Sequence, residues 1–316
     1  MPRDALARSS TRHAARTRAA RPSLPPPQRA ATAQMLVPLA GGGKETLLSE
    51  VGFLLLPLFT TAEACALRLV CREFLAAVSE HPWEDRDTVI QGSIAAWRVC
   101  FPHACCANVQ RYDLGGGRNK RAAPVVDADF VHFEGLRELY MAGCKGITDA
   151  AFVHFLGIHT LDMTWCSQPT ITDAAFANLA GIQRLSMEWC DQPSLTDAAF
   201  THLRGVQLLH IGGCRQLTDA AFAHLCGIHT LYMWDCSQLT ITDAAFAHLR
   251  GIRTLVMDGC SQPTITEAAF PPLQGVCTLG MHNCRPGAVA AAQSLGLPVS
   301  DRKWRCLLIS LSDDLA

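Results

Sequence analysis

Residues 227–250 read GIHTLYMWDCSQLTITDAAFAHLR, and residues 181–204 read GIQRLSMEWCDQPSLTDAAFTHLR. The same unit returns from Gly135 onward, and self-similarity at a period of this size indicates a repeat architecture. Successive copies lie 22 or 24 residues apart, and the length difference falls just after a cysteine. Because the rest of a stack must keep its register, that difference predicts a loop along one edge. The copies centre on Cys144, Cys166, Cys190, Cys214, Cys236, Cys260 and Cys284.

The two halves of the unit follow different periods. Leu231 and Met233 alternate with other residues, which predicts a short strand with one buried face. In Thr-Asp-Ala-Ala-Phe-x-x-Leu, Phe200 and Leu203 lie three apart, which predicts one buried stripe of a short helix. The Thr hydroxyl is a helix cap, and a glycine such as Gly205 suits the left-handed turn that ends a helix. Strand, turn, helix and turn in each unit predict an α/β solenoid of parallel strands.

The repeat resembles the cysteine-containing leucine-rich repeat, whose pattern is Leu-x-x-Leu-x-Leu-x-x-Cys-x-x-Ile-Thr-Asp. This resemblance covers residues 107–300 and implies a leucine-rich-repeat solenoid with parallel strands on its concave face and short helices on its convex face. Later copies depart from the pattern mainly by Met or Ile at the third position and by the two-residue insertion. Residues 301–316 are expected to form a cap or tail. One copy matches at Leu136, Leu139, Met141, Cys144, Ile147, Thr148 and Asp149.

Residues 44–84 have a different character, and Thr60 with Glu63 predicts a capping box at the start of a helix. The run ALRLVCREFLAAVSEHPW resembles the F-box, although the opening Leu-Pro of that family is absent near Leu47. The resemblance implies a small all-α segment that binds a Skp-type adaptor. The alternative is a helical cap over the repeats, with Val70 and Phe74 sealing the solenoid. The adaptor contacts implied by position are Leu58, Phe59, Leu67, Val70 and Phe74.

A joining helix is predicted within residues 85–106, where Ile94, Trp97 and Phe101 would pack on the first repeat. Before the F-box-like segment, residues 1–43 are predicted to be a disordered basic tail, because residues 1–33 hold seven Arg against the single acid Asp4. The alternative for this tail is an organelle transit peptide. Otherwise the expected location is the cytoplasm or the nucleus.

The remainder of the chain carries 20 basic and 27 acidic residues, which argues against a body that binds nucleic acid. No apolar run approaches the roughly 18 residues that a membrane helix needs, so no membrane partner is expected. Arg118 to Arg121 form a short basic loop, interpreted as solvated rather than as a nuclear import signal.

Two residue types recur as columns, and each column has two interpretations. The repeat cysteines are either metal ligands or a buried ladder, and the absence of Cys-x-x-Cys favours the ladder. The repeat histidines are either a metal-binding or pH-sensing row, or convex surface residues copied with the unit. No metal and no cofactor are therefore expected. The histidine column consists of His132, His154, His202, His224 and His248.

Catalytic motifs are absent from the sequence, so we expect a recognition protein rather than an enzyme. One position between the buried Leu and Met differs from copy to copy, and it is expected to point outward from the concave face to hold a protein substrate. Trp165 and Trp189 either lie on the rim of that face or pack against neighbouring turns. The F-box resemblance implies a substrate-binding subunit of a Skp–cullin–F-box ubiquitin ligase, and the alternative is a leucine-rich-repeat scaffold without a ubiquitin role. The concave contacts expected are Tyr140, Asp162, Ser186, His210, Tyr232 and Val256 at that position, with Trp234 and Asp258 two residues further on.

Overall fold

The computed structural model of the protein describes residues 55–111 and 124–300. The predicted basic tail of residues 1–43, the basic loop at Arg118 to Arg121 and the final residues 301–316 lie outside the described residues.

The described residues form a single parallel sheet whose nine strands are ordered as they occur in the chain. The middle leucines of neighbouring strands are in register, as Leu161 pairs with Leu185. This arrangement confirms the predicted α/β leucine-rich-repeat solenoid, and its first strand begins one residue before the predicted boundary. The strands are β1 (Cys106–Asn108), β2 (Glu138–Tyr140), β3 (Thr160–Asp162), β4 (Arg184–Ser186), β5 (Leu208–His210), β6 (Thr230–Tyr232), β7 (Thr254–Val256), β8 (Thr278–Gly280) and β9 (Val299–Ser300).

The helices on the other side of the repeat are short, as predicted, and most of them are tighter than α-helices. Their hydrogen bonds run from the nitrogen of residue i+3 to the oxygen of residue i, as from Ala175 to Thr172. Three are single α-turns, α4 (Asp149–Phe152), α5 (Asp219–Phe222) and α6 (Asp243–Phe246), and the last helix is α7 (Pro286–Ser294). The 3-10 segments are Leu56–Leu58, Asp127–Phe133, Val153–Phe155, Asp173–Leu179, Asp197–His202, Glu267–Ala269 and Pro271–Leu273.

The Thr-Asp pair of each repeat stabilises both its own helix and the next repeat. The Thr172 hydroxyl accepts a hydrogen bond from the Ala174 nitrogen, which confirms the predicted cap. The Asp149 carboxylate of the preceding repeat also accepts from the Thr172 nitrogen at 2.7 Å and from its hydroxyl at 2.6 Å. The same two-bond contact recurs from Asp127 to Thr148, Asp173 to Thr196, Asp197 to Thr218, Asp219 to Thr242, and Asp243 to Thr266.

The core lies between the sheet and the short helices. Phe200 and Leu203 are buried there, as the helical stripe predicted. Phe130 packs against Phe155 of the following repeat with ring centroids 5.4 Å apart. This contact continues the core from repeat to repeat.

Three helices precede the sheet: α1 (Thr61–Leu67), α2 (Arg72–Glu80) and α3 (Ile94–Cys100). The predicted capping box of Thr60 and Glu63 starts α1. Trp83 then links this helical segment to the start of the sheet. Its indole donates to the Val78 carbonyl at 2.8 Å, and its own carbonyl accepts from the Cys105 nitrogen at 2.8 Å. The indole ring also packs against Phe101 at 5.6 Å.

Arg86 makes a second link between the helical segment and the repeats. Its guanidinium forms two hydrogen bonds with the Glu138 carboxylate, at 2.6 and 2.7 Å. Bidentate pairs of this kind hold a fixed geometry. This contact ties the connection after Trp83 to the first residue of β2.

A bilayer-spanning helix would need a long apolar stretch, and none of the helices in residues 55–111 and 124–300 has one.

Candidate functional site

The residues predicted to form a row on the concave face do lie side by side in the sheet. The third residues of β2 to β7 are paired in register, so neighbours such as Ser186 and His210 lie side by side. This pairing brings together Tyr140, Asp162, Ser186, His210, Tyr232 and Val256. Two residues further along each strand direction lie Thr164, Glu188, Trp234 and Asp258.

The expectation that this row points freely into solvent is wrong. The side chains cover one another, because strands about 4.8 Å apart bring large neighbours into contact on the inner side of a curved sheet. The His210 and Tyr232 rings, on neighbouring strands, lie 4.3 Å apart. Trp234 alone of the predicted set is half-buried. Exposed fractions are between 1 and 9% for Tyr140, Asp162, Ser186, His210, Tyr232, Val256 and Asp258.

A second column, missed by the sequence interpretation, precedes each repeat cysteine. The backbone there has positive φ in every repeat, a conformation that glycine adopts freely and that Asn and Asp tolerate. Trp165 and Trp189 occupy it nonetheless, with φ of 60° and 55°. A left-handed conformation costs roughly 1–2 kcal/mol for a residue with a Cβ atom. The other members are Gly143, Gly213, Asp235, Gly259 and Asn283.

Gly212 and Gly213 lie between β5 and Cys214, and two tryptophan rings pack against their backbone. A Cβ atom on Gly212 would lie 2.3 Å from the Trp234 ring, and one on Gly213 would lie 2.5 Å from the Trp189 ring. The two indoles meet edge to face with centroids 5.1 Å apart. The two glycines therefore make the space in which Trp189 and Trp234 lie together. We call Trp189, Trp234 and Glu188 the edge patch.

Glu188 connects the edge patch to the concave row. Its Oε1 atom accepts a hydrogen bond from the Trp234 indole at 2.9 Å and lies 3.1 Å from Nδ1 of His210. Within the described part of the chain, its Oε2 atom has no hydrogen bond and is not among the buried polar atoms without a partner. Oε2 therefore retains contact with solvent, although the Glu188 side chain as a whole is only 12% exposed, and Oε1 contacts the two rings.

The Trp189 ring also has a cationic neighbour. The Arg215 guanidinium carbon lies 5.9 Å from its centroid, a distance at which the ring face attracts a cation. The same guanidinium forms an ion pair with Asp235 at 2.9 Å. The aromatic surface thus already accepts an arginine from its own chain.

Asp162 is a buried carboxyl group within the row. Burial raises its pKa above the ordinary value, and the nearby Glu188 carboxylate raises it further. Hydrogen bonds from Thr164 and the charge of His210 act in the opposite direction. The Thr164 nitrogen donates to Asp162 Oδ1 at 3.0 Å. The charged form of Asp162 is therefore disfavoured in the folded protein.

The predicted adaptor contacts are divided between the interior and the surface. Leu67 and Phe74 are buried within the helical segment, so the expectation that they form an open contact face is wrong. Leu58 and Val70 are exposed, and Phe59 is half-buried. The exposed position of Val70 also contradicts the alternative that it seals the solenoid. Leu69, which was not predicted, is 88% exposed beside Val70 at 57%.

The cysteine column is a buried ladder of thiols. Each thiol lies within hydrogen-bond distance of a backbone carbonyl of the preceding repeat, as Cys214 does with Met187 at 3.0 Å. Burial raises the pKa of the Cys236 thiol to about 12, so these sulfurs remain protonated. Within the described ranges, no group of three or more His, Cys, Asp or Glu side chains is arranged to hold a metal ion.

The histidine column lies on the convex surface, as predicted. His154 pairs with Glu134 at 2.7 Å, whereas His202 is exposed. Its members therefore have unlike surroundings and do not form a continuous network.

No protein-family model matches the chain, and no curated protein sequence matches it. Several solved structures resemble its fold. The structure titled as the TLR13–ssRNA13 complex aligns with a TM-score of 0.45 and 14% identity over 60% of this chain, and the Toll–Spätzle complex of Drosophila aligns with 0.45 and 12% over 66%. This chain spans 31% of the length of each of those two chains. The yeast Rad7–Elc1 complex aligns with 0.41 and 13% over 89% of this chain and 99% of that chain.

Proposed function

We propose that the protein is a non-enzymatic recognition protein whose solenoid holds a protein partner along one edge of its concave face. The observation that carries this proposal is the contrast between positions. The leucine, cysteine and Thr-Asp positions repeat, whereas the paired row from Tyr140 to Val256 changes chemistry at every strand. The buried row shapes the surface, and the half-buried Trp234, Trp189 and Glu188 at its edge make the contact.

The more specific proposal is a substrate adaptor of a Skp–cullin–F-box ubiquitin ligase, acting in the cytoplasm or nucleus. Support comes from the F-box-like sequence, the capping box of Thr60 and the adjacent exposed apolar side chains Leu69 and Val70. In this role α1, α2 and their turn bind a Skp-type adaptor through Leu58, Phe59, Val70 and Leu69. The solenoid then holds a substrate close to the ubiquitin-transfer machinery, so the chain supplies proximity and orientation.

The second candidate is a scaffold without a ubiquitin role. It is favoured by the burial of Leu67 and Phe74 and by the contacts through which Trp83 fixes the helical segment to the first strand. In that case the helical segment is a cap for the repeats, and its exposed leucine and valine have no adaptor to bind.

A pull-down with a purified Skp-type adaptor separates the two candidates. The adaptor role predicts capture by the full chain and loss of capture by the double variant Leu69→Asp, Val70→Asp. Both substitutions are at exposed positions, so the fold should survive, as circular dichroism can verify. The matched control is Val99→Asp on α3, where the valine is 75% exposed, and this variant should retain capture. No capture by the unmodified chain would favour the scaffold.

A further inference from the structure

Two bulky aromatic residues remain in a backbone conformation that suits glycine. In the column before the repeat cysteines, Gly213 and Gly259 adopt positive φ freely. Trp165 and Trp189 adopt it at an energetic cost, because their Cβ atoms come close to the backbone. Strained backbone of this kind concentrates at functional sites, where an observed outlier justifies a functional hypothesis. In this conformation the Trp189 indole lies against the backbone of Gly213.

We propose that the edge patch of Trp189, Trp234 and Glu188 binds an arginine-bearing segment of a partner protein. This inference rests on the proposed recognition function and names the chemistry of the partner. The patch combines two half-buried indoles with a carboxylate whose Oε2 atom is reached by solvent. An aromatic face beside a carboxylate suits a guanidinium, which stacks on the ring and donates to the oxygen.

The chain itself demonstrates the first half of this chemistry. Arg215 lies over the Trp189 ring while its guanidinium pairs with Asp235. At the other indole, the hydrogen bond from Trp234 to Glu188 fixes the carboxylate beside the ring. The same pairing of indole and carboxylate therefore occurs on both sides of the glycine pair.

Charge around the patch favours a cationic ligand. The Glu188 carboxylate lies beside the Trp234 indole, and the ion pair with Asp235 offsets the charge of Arg215. Arg184 begins β4, about 13 Å along the strand from Glu188 at roughly 3.3 Å per residue. His210, which contacts Glu188, is the cationic candidate nearest to it. Phosphate groups would meet carboxylates here, so a nucleic acid is disfavoured.

The test uses the full-length protein and three fluorescein-labelled peptides of equal length. One alternates arginine with Gly-Ser, and the others carry lysine or glutamate in place of arginine. Fluorescence anisotropy should detect binding of the arginine peptide, weaker binding of the lysine peptide and none of the glutamate peptide. Glu188→Gln keeps the shape of the side chain and should weaken arginine-peptide binding by at least about tenfold. Trp189→Asn, whose side chain tolerates positive φ, should weaken binding similarly.

The matched control is Asp191→Asn, which removes an exposed carboxylate two residues from Trp189 and should leave affinity within about twofold. Thermal unfolding of each variant checks its fold. Absence of arginine-peptide binding, or equal affinity of wild type and Glu188→Gln, would overturn the proposal. Binding of a labelled single-stranded RNA that disappears in the Trp189→Asn variant would also overturn the proposal, and would indicate that the patch stacks on bases. If the peptide test fails but the full chain still captures the Skp-type adaptor, the adaptor role stands and only the arginine site is rejected.

Discussion

The Asp173 carboxylate accepts two hydrogen bonds from Thr196 of the following repeat, at 2.7 Å from the backbone nitrogen and 2.6 Å from the hydroxyl. Thr196 in turn caps its own helix by accepting from the Ala198 nitrogen. A single carboxylate therefore fixes the position at which the next helix begins. Because this contact recurs along the stack, the convex side of the solenoid is connected by hydrogen bonds as well as by its apolar core.

Replacement of Asp173 by alanine should destabilise the protein by about 1–3 kcal/mol, because two hydrogen bonds to a charged carboxylate are lost. Glu267→Ala is the matched control. Glu267 occupies the same repeat position, but no hydrogen bond joins it to a following repeat within the described residues. Urea unfolding should therefore show a clearly larger loss for Asp173→Ala than for Glu267→Ala. Equal losses would mean that the effect arises from the helix terminus alone.

Replacement of Phe200 by alanine should cost about 3–5 kcal/mol, because its ring is fully buried between sheet and helices. The exposed Leu239 provides a control, and Leu239→Ala should change stability by about 0.5 kcal/mol or less. Denaturant midpoints compare the two variants. A small loss at Phe200 would contradict its place in the core.

Gly212→Ala should disturb the tryptophan pair. Its new Cβ would lie 2.3 Å from the Trp234 ring, so the indole must move and release Glu188. We expect a loss of about 1–3 kcal/mol together with a changed near-ultraviolet circular dichroism signal. Gly287→Ala in α7, where nothing lies within 4 Å, should be neutral or stabilising. An unchanged aromatic signal in Gly212→Ala would show that the Trp189 and Trp234 rings accommodate the added methyl group without moving.

Alkylation should distinguish the cysteine ladder from the surface cysteines. At pH 8 iodoacetamide should modify the exposed Cys226 and Cys277, while Cys190 and Cys214 remain protected until the protein unfolds. Burial raises the pKa of both ladder thiols well above the ordinary value, and the thiolate is the reactive form. Peptide mass spectrometry gives the extent at each site. Equal rates at Cys190 and Cys226 in the native protein would contradict this prediction.

Stability should depend on pH through Asp162. Its pKa is raised above 3.8 in the folded protein, so the folded state binds this proton more readily than the unfolded state. The contribution of Asp162 to stability therefore falls as pH rises through the window above 3.8 and stays low at neutral pH. Asp162→Asn should stabilise the protein at pH 7, with a difference that shrinks towards pH 4.

Urea unfolding at several pH values measures this effect, and the exposed Asp191→Asn serves as the control. A destabilised Asp162→Asn protein at pH 7 would show that the carboxylate charge is favourable in the fold.

Most of the repeat architecture was predictable because the same pattern recurs in many copies along the sequence. The alternation at Leu231, the stripe of Phe200 and the threonine caps all depend on local spacing, which copies reinforce. The column before the cysteines also left a signal, since glycine, Asp and Asn share it, but Trp165 and Trp189 concealed it.

The surfaces could not be predicted as well. The burial of Tyr140 or His210 depends on how side chains of neighbouring strands pack along a curved sheet, which no single repeat encodes. The F-box resemblance marked Leu67 and Phe74 by position, yet position does not reveal what a side chain packs against within its own chain. Long-range pairs such as Arg86 with Glu138 carry no repeat signal either.

The junctions from Asp127 to Thr266 each join an aspartate to a threonine, and the repeat thiols contact carbonyls of the preceding repeat, so the same junction chemistry recurs along this part of the stack. A duplicated copy of residues 227–250 inserted after Arg250 would find compatible chemistry on both sides. Each such duplication would lengthen the sheet by about 4.8 Å without redesign of the existing modules. Unequal recombination within the gene, or cloning of an extra copy, could therefore change the length of the solenoid.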